Sequence, residues 1–341
     1  MISVHRLTRT IILSAAAGMF LLIAALSGCT APQGTEIIPT STEQIPSPTL
    51  VVQPTGTATL PPTEITPTSS PTSPAATALT PEPTDDPANP DSWKDLPIIP
   101  ETISDKMIAL YKEGQQQGNN KRSFSKVGDC ETSSEFFLKP FDLGPKNYIL
   151  EPYTNLQELL NHFRGSFGRT SLAAKPSFSV SSVFSSVWSD ATVCGNEKPI
   201  SCEYRLHRPA FALIMFGTND VHNSPEVFES NMRSLIEFSL KNHVIPILAT
   251  KADNLEGDGR INATIARLAA EYEVPLWNFW RAMQELPDHG LKEDQVHFTY
   301  APNDFNDPEA MKMGWPVRNL TALQVLDKVW RTVAEANGET Y

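Results

Sequence analysis

The sequence predicts an α/β domain in which a parallel sheet is covered by helices on both faces. Two observations carry this. Phe211–Phe216 and Val244–Ala249 are continuous apolar runs, the composition of strands buried on both sides. Amphipathic segments of helical period alternate with these runs and with shorter strand-like stretches.

Taken in order, Asp105 to Gln116 has helical spacing at Met107, Ile108, Leu110 and Tyr111, and a strand follows at Ser123–Val127. Asn155 to Phe163 reads as a helix with Leu156, Leu159, Leu160 and Phe163 on one face. Phe178 to Val187 fits a strand or a helix. After the strand Phe211–Phe216, a helix runs from Pro225 to Asn242, opened by Ser224 as N-cap and Pro225 in the first turn. Val244–Ala249 is the next strand, Asn262–Glu271 an alanine-rich helix, and Val274–Phe279 strand-like. A last helix spans Asn319–Ala336 with Leu323, Leu326, Val329 and Trp330 inward. No internal repeat is evident. In such sheets the chemistry sits at the carboxyl ends of the strands.

The chain divides into 1–28, 29–91 and 92–341. The first segment carries Arg6 and Arg9, then an apolar stretch too short for a membrane span, then Leu26-Ser27-Gly28-Cys29. This ending resembles the lipobox of bacterial lipoproteins, which implies cleavage, a lipidated Cys29 and an extracytoplasmic, membrane-anchored protein. Thr30 to Pro90 holds 14 of the 29 prolines and no Lys or Arg, so it is expected to remain an extended, disordered stalk. Its acids supply part of the net charge of −12. The folded region is therefore not basic, and nucleic acid is not an expected partner. The remaining residues suffice for one domain with a sizeable core.

Of the four cysteines, Cys194 and Cys202 bracket a short polar loop, a spacing that suits a disulfide in an exported protein. Cys130 is left over. It directly follows the strand ending at Gly128-Asp129, while Asp294 and His297 stand three apart near the end of the folded region. A nucleophile after a strand with a late Asp-x-x-His supplies the parts of a nucleophile–base–orienter triad. Pairing of Cys130 with Cys194 or Cys202 is the competing reading.

Three loops after predicted strands carry these groups: Gly128-Asp129-Cys130, Gly217-Thr218-Asn219-Asp220 and Asp294-Gln295-Val296-His297. Together they resemble, in order and spacing, the blocks of the GDSL/SGNH hydrolase family, with cysteine where the family has its nucleophilic serine. The resemblance covers most of residues 122–335. It implies a flavodoxin-like three-layer sandwich of the SGNH type, with Cys130, His297 and Asp294 catalytic. Asn219 and the Cys130 backbone N–H would form the oxyanion hole, and Gly217 and Asp129 would lie at the substrate. The family's second-block glycine has no counterpart in Ser177-Phe-Ser-Val-Ser-Ser-Val-Phe, where Ser181 or Ser182 is the expected replacement donor. Asp129 and Glu131 are expected to disfavour a thiolate at Cys130.

The activity so implied is hydrolysis of ester bonds, on carbohydrate or cell-envelope acyl groups, or acyl transfer. A catalytically inactive glycan- or envelope-binding lipoprotein is the alternative. The expected partner is a small-molecule or glycan ester met by a monomer. No metal or organic cofactor is implied, since no His/Cys cluster at zinc spacing, phosphate-binding loop or dinucleotide fingerprint is present. Lys251-Ala-Asp253-Asn254 is a further loop at the sheet edge that would touch substrate or solvent. Trp315, in the Met-Gly-Trp-Pro segment, is a candidate sugar-stacking platform.

Overall fold

The structure is a computed structural model and describes residues 91–340. The signal-like segment, Cys29 and the proline-rich stretch lie outside the described residues. Among the described residues no helix is long and apolar enough to cross a membrane.

The elements in order are α1 (Asp105–Gln116), β1 (Asn120–Gly128), α2 (Cys130–Ser133), β2 (Tyr148–Ile149), α3 (Leu156–His162), α4 (Ala191–Cys194), α5 (Pro199–His207) and β3 (Pro209–Met215). There follow α6 (Pro225–Lys241), β4 (Ile245–Ala249), α7 (Arg260–Tyr272), β5 (Leu276–Trp277), α8 (Phe279–Met283), β6 (Asn303–Asp304) and α9 (Gly314–Ala336). The main sheet has the order β1-β3-β4-β5 and is parallel throughout. Beyond β1, a parallel bridge joins Gly128 to Ala174, so the Ala173–Lys175 segment occupies the next strand position. β2 and β6 form a separate parallel pair.

The strands advance in one direction through right-handed crossovers, so α6 and α7 share a face of the sheet, where both pack on β4. α1, α3 and α9 pack together as the other layer. The fold is thus the expected α/β sandwich. Its interior is strongly aromatic: Phe124, Phe163, Phe211, Trp277 and Trp330 are fully buried. Each contributes on the order of 2–3 kcal/mol by leaving water. Leu156, Leu159, Leu160 and Phe163 are all buried, as their spacing on one helical face predicts. Ser224 caps α6 by accepting the Val227 N–H, and Pro225 occupies the first turn, where its missing N–H costs nothing.

Three local readings change. Phe178–Val187 forms two short 3-10 turns, Val180–Phe184 and Ser186–Trp188, neither a strand nor an α-helix. The run at Val274–Phe279 shrinks to β5 because the Asn278 side chain accepts the Arg281 N–H and starts α8. The last helix begins at Gly314, before the expected Asn319. Pro316 is compatible with a first turn, and the Gly314 N–H donates to Thr299 Oγ1 at 2.8 Å.

The register is what positions the site. Gly128 pairs with Met215, Met215 with Ala249 and Ala249 with Trp277, so the four strands end level. Cys130, Gly217 and Lys251 each follow two residues after one of these paired ends, at one edge of the sheet.

Candidate active site

Cys130 is the first residue of α2, directly beyond β1. The strand can turn back into this helix because residue 128 is glycine. A Cβ there would lie 2.3 Å from Thr132 Oγ1 and 2.5 Å from the Met215 carbonyl oxygen. Asp129 is the N-cap, with Oδ1 accepting the Glu131 N–H at 3.2 Å. Its carboxylate is buried and builds the turn. Cys130 thus heads the helix, where the first N–H groups have no acceptor within the helix itself.

His297 is held by its own loop. Asp294 Oδ2 pairs with His297 Nδ1 at 2.7 Å, while Oδ1 accepts the N–H groups of Val296 (3.0 Å) and His297 (2.9 Å). The loop is closed by the Lys292 N–H donating to the His297 carbonyl at 2.8 Å. Phe298, packed edge-on against Phe279 and Trp315, anchors it to the core. Burial works to raise the Asp294 pKa. The bonds from the His297 backbone and side chain and from the Val296 N–H outweigh it, and hold the carboxyl at about 2. An ionised Asp294 on Nδ1 leaves Nε2 as the ring nitrogen available elsewhere. Nε2 stands 3.9 Å from Glu131 Oε1. The Cys130 sulfur, a Glu131 carboxylate oxygen and a His297 ring nitrogen all lie within 4.8 Å of one another. Cys194 and Cys202 form the disulfide, so the alternative pairings of Cys130 do not occur.

Arg318 has no place in the sequence reading, and Glu131 enters it only as a charge beside the thiol. Arg318, on α9, is wholly buried. Its guanidinium lies 4.1 Å over the Phe137 ring and 5.2 Å from that of Phe298. Nη2 donates to Thr132 Oγ1 at 3.2 Å, and Nη1 stands 4.0 Å from Glu131 Oε2. Burial lowers the Arg318 pKa to about 10, and the charges of Glu131, Asp129 and Cys130 pull it back up. Burial pushes Glu131 up to about 7 and Asp129 to about 6, in each case against the opposing pull of Arg318. The expected negative charge beside the thiol is thus weakened by burial, and a buried cation faces the same turn. A signal for Arg318 did exist: a lone arginine one helical turn after Trp315, amid an apolar run.

The Gly217–Asp220 turn is built with equal specificity. Gly217 has φ 128°, and a Cβ would lie 2.6 Å from Ile261 Cγ2 and 2.9 Å from Lys251 Cδ. Asn219 Nδ2 donates to the Phe178 carbonyl at 3.0 Å, and Asp220 accepts the Val180 N–H at 3.2 Å. These bonds stitch the turn to the segment expected to supply a second oxyanion donor. Ser182 is not that donor: its N–H donates to the Ser179 carbonyl and its hydroxyl accepts the Ser179 N–H. Ser177 takes φ 67°, so a left-handed bend persists there without glycine. Lys251 is buried and donates to Asp253 and Glu256, each at 2.6 Å, and Thr218 Oγ1 donates to Asp253 Oδ2 at 2.7 Å. Lys251 and Asp253 thus support the turn from behind, buried, while Asn254 at the end of the loop is exposed.

A groove of about 350 Å³ is walled by the β2–β6 pair and by Phe136, Tyr300 and Trp315. Phe136 and Tyr300 meet with ring centroids 4.7 Å apart at a tilt of 46°, yet remain 45% and 56% exposed. Trp315 is helical and almost wholly buried, so it backs the platform that Phe136 and Tyr300 form and is not the platform itself. Asn147, Asp304 and Lys146 supply polar groups at the same groove.

No family model and no curated protein matches the chain. Among solved structures it is similar to a putative lipolytic protein of the G-D-S-L family from Desulfitobacterium hafniense, at 14% identity and TM-score 0.37, covering 60% of this chain and 99% of the other. It is also similar to a GDSL-like lipase from Bacteroides thetaiotaomicron (16% identity, TM-score 0.38), covering 65% of this chain and 98% of that one. A putative acylhydrolase from Bacteroides fragilis stands at 17% identity and TM-score 0.38, with 66% and 98% covered. The chemistry rests on the site's own geometry.

Proposed function

We propose that the chain is a covalent ester hydrolase acting on acylated carbohydrate, exported and tethered through Cys29. The carrying observation is the Asp294–His297 pair, which fixes Nδ1 and brings the ring to Cys130 and Glu131 at the sheet's carboxyl edge. In this mechanism His297 Nε2 takes the Cys130 thiol proton and the sulfur attacks the ester carbonyl. The tetrahedral oxyanion is met by the Cys130 N–H and the Asn219 amide. Collapse expels the alcohol, which receives the proton from His297 and leaves a thioester on Cys130. Water, deprotonated by His297, then attacks the thioester, releasing the acid and restoring the thiol. Arg318 favours negative charge on the turn that carries the sulfur. The exposed aromatic pair, with amide and carboxylate groups beside it, supports a sugar as the group held next to the ester.

Hydrolysis of acetylated oligosaccharides and of p-nitrophenyl acetate tests this. Cys130→Ala and His297→Ala are each expected to lower kcat by on the order of 10³-fold. Turnover unchanged by either substitution would exclude the mechanism. Oligosaccharide binding without any wild-type turnover would favour an inactive binding domain instead.

A further inference from the structure

We propose that Cys130, Glu131 and His297 also bind one soft divalent cation of the zinc class, which removes the nucleophile and base from reaction. This rests on the reading of Cys130 and His297 as the reacting pair. The donor set is a sulfur, a carboxylate oxygen and an imidazole nitrogen, all within 4.8 Å of one another. Thiolate, imidazole and carboxylate are the ligands zinc prefers, and three of them leave a fourth position for water. Bonds of about 2.0–2.3 Å place tetrahedral ligand atoms within about 3.5 Å of each other, so the site must contract by about 1 Å. Cys130 and Glu131 are already joined in one helical turn, and the His297 side chain is 32% exposed at the edge, where it has room to close in.

Two features point to a cation. Glu131 Oε1, on a side chain only 10% exposed, faces His297 Nε2 at 3.9 Å, so a buried carboxylate oxygen and an imidazole nitrogen converge without bonding each other. The second feature is the 2.7 Å bond from Asp294 to His297 Nδ1, the carboxylate–histidine arrangement that orients an imidazole toward a metal. Arg318, 4.0 Å from the other Glu131 oxygen, opposes the added charge and sets an upper limit on affinity. Binding converts the thiol to a metal thiolate and releases its proton to solvent, as does Glu131 when it carries one. Residues 130, 131 and 297 show no zinc spacing in the sequence; only the fold assembles them.

The test titrates the reduced full chain with Co²⁺ and follows the thiolate-to-cobalt charge-transfer band. One band-forming equivalent per chain, displaced by Zn²⁺, is expected. Cys130→Ser should abolish the band. Glu131→Gln and His297→Ala should each weaken Co²⁺ binding about tenfold or more, with circular dichroism showing that the variants remain folded. A missing band, a band that survives Cys130→Ser, or affinity unchanged in Glu131→Gln would overturn the proposal. The two proposals separate cleanly. Ester turnover that saturating Zn²⁺ leaves untouched refutes the metal site alone. A cobalt thiolate band in a chain that never forms an acyl-enzyme refutes the hydrolase reading alone.

Discussion

Two buried cations stand at the carboxyl edge of one sheet, and the protein treats them differently. Lys251 Nζ donates to Asp253 Oδ1 and Glu256 Oε2 at 2.6 Å and to the Asp253 carbonyl at 2.9 Å, an acceptor for each of its three protons. Arg318 is equally buried, yet its Nε and Nη1 have no hydrogen-bond partner and its facing carboxylate oxygen has none either. In the first cluster every proton of the cation is accepted, with Glu256 Oε1 alone left without a hydrogen bond, and the cluster holds the Gly217 turn. The second is under-satisfied, lies directly beneath Cys130 and shifts the pKa values around it. Incomplete pairing of buried charge costs stability, and it is the usual signature of a place where chemistry, not stability, is served.

The largest expected effect is on the satisfied cluster. Lys251→Met leaves two buried carboxylates uncompensated and should cost about 3–5 kcal/mol in urea unfolding. Arg318→Met removes a cation with few bonds from an aromatic surround that accepts an apolar chain. Its stability change should stay below about 1.5 kcal/mol, while ester turnover falls by about tenfold or more. Equal stability losses in the two variants would break the contrast.

The pH dependence sharpens it. Glu131 has its folded pKa raised, to about 7, above the ordinary carboxylate value of the unfolded chain. Between those values the folded state holds the extra proton, so stability should fall as pH rises through this window and level off above about 7. Glu131→Gln should flatten the upper part of that slope. A remainder ending near 6 would belong to Asp129 and Asp220. Thermal melts across pH read this directly, and an unchanged slope would remove Glu131 from the under-satisfied cluster.

The smallest effect lies in the groove. Phe136→Ala or Tyr300→Ala should raise KM for acetylated oligosaccharides several-fold, about 1 kcal/mol per lost stacking surface, and leave p-nitrophenyl acetate turnover alone.

Much of this was legible in the sequence. The apolar runs at β3 and β4, the Ser224 cap and the Leu156–Phe163 face leave little freedom to local structure. The Gly-Asp-Cys and Asp-x-x-His segments mark the site because each is a local turn whose side chains bond within a few residues, and Gly-x-Asn-Asp because its glycine is required by the positive φ. Arg318 and the Cys130–Glu131–His297 juxtaposition were not legible in that way. Their partners are distant in sequence, and burial, the largest cause acting on Glu131 and Asp129, is a property of packing. The 3-10 turns at Val180–Trp188 escaped for a related reason: their geometry is fixed by bonds to Asp220 and within the serine cluster, not by apolar period.

The most direct measurement is the intact mass of the full chain during turnover of an activated acetyl ester, followed by peptide mapping. The mechanism predicts a transient acetyl thioester on Cys130 that accumulates when its hydrolysis is slowed by His297→Ala. An acetyl group found elsewhere, or turnover with no adduct on Cys130 under either condition, would contradict it.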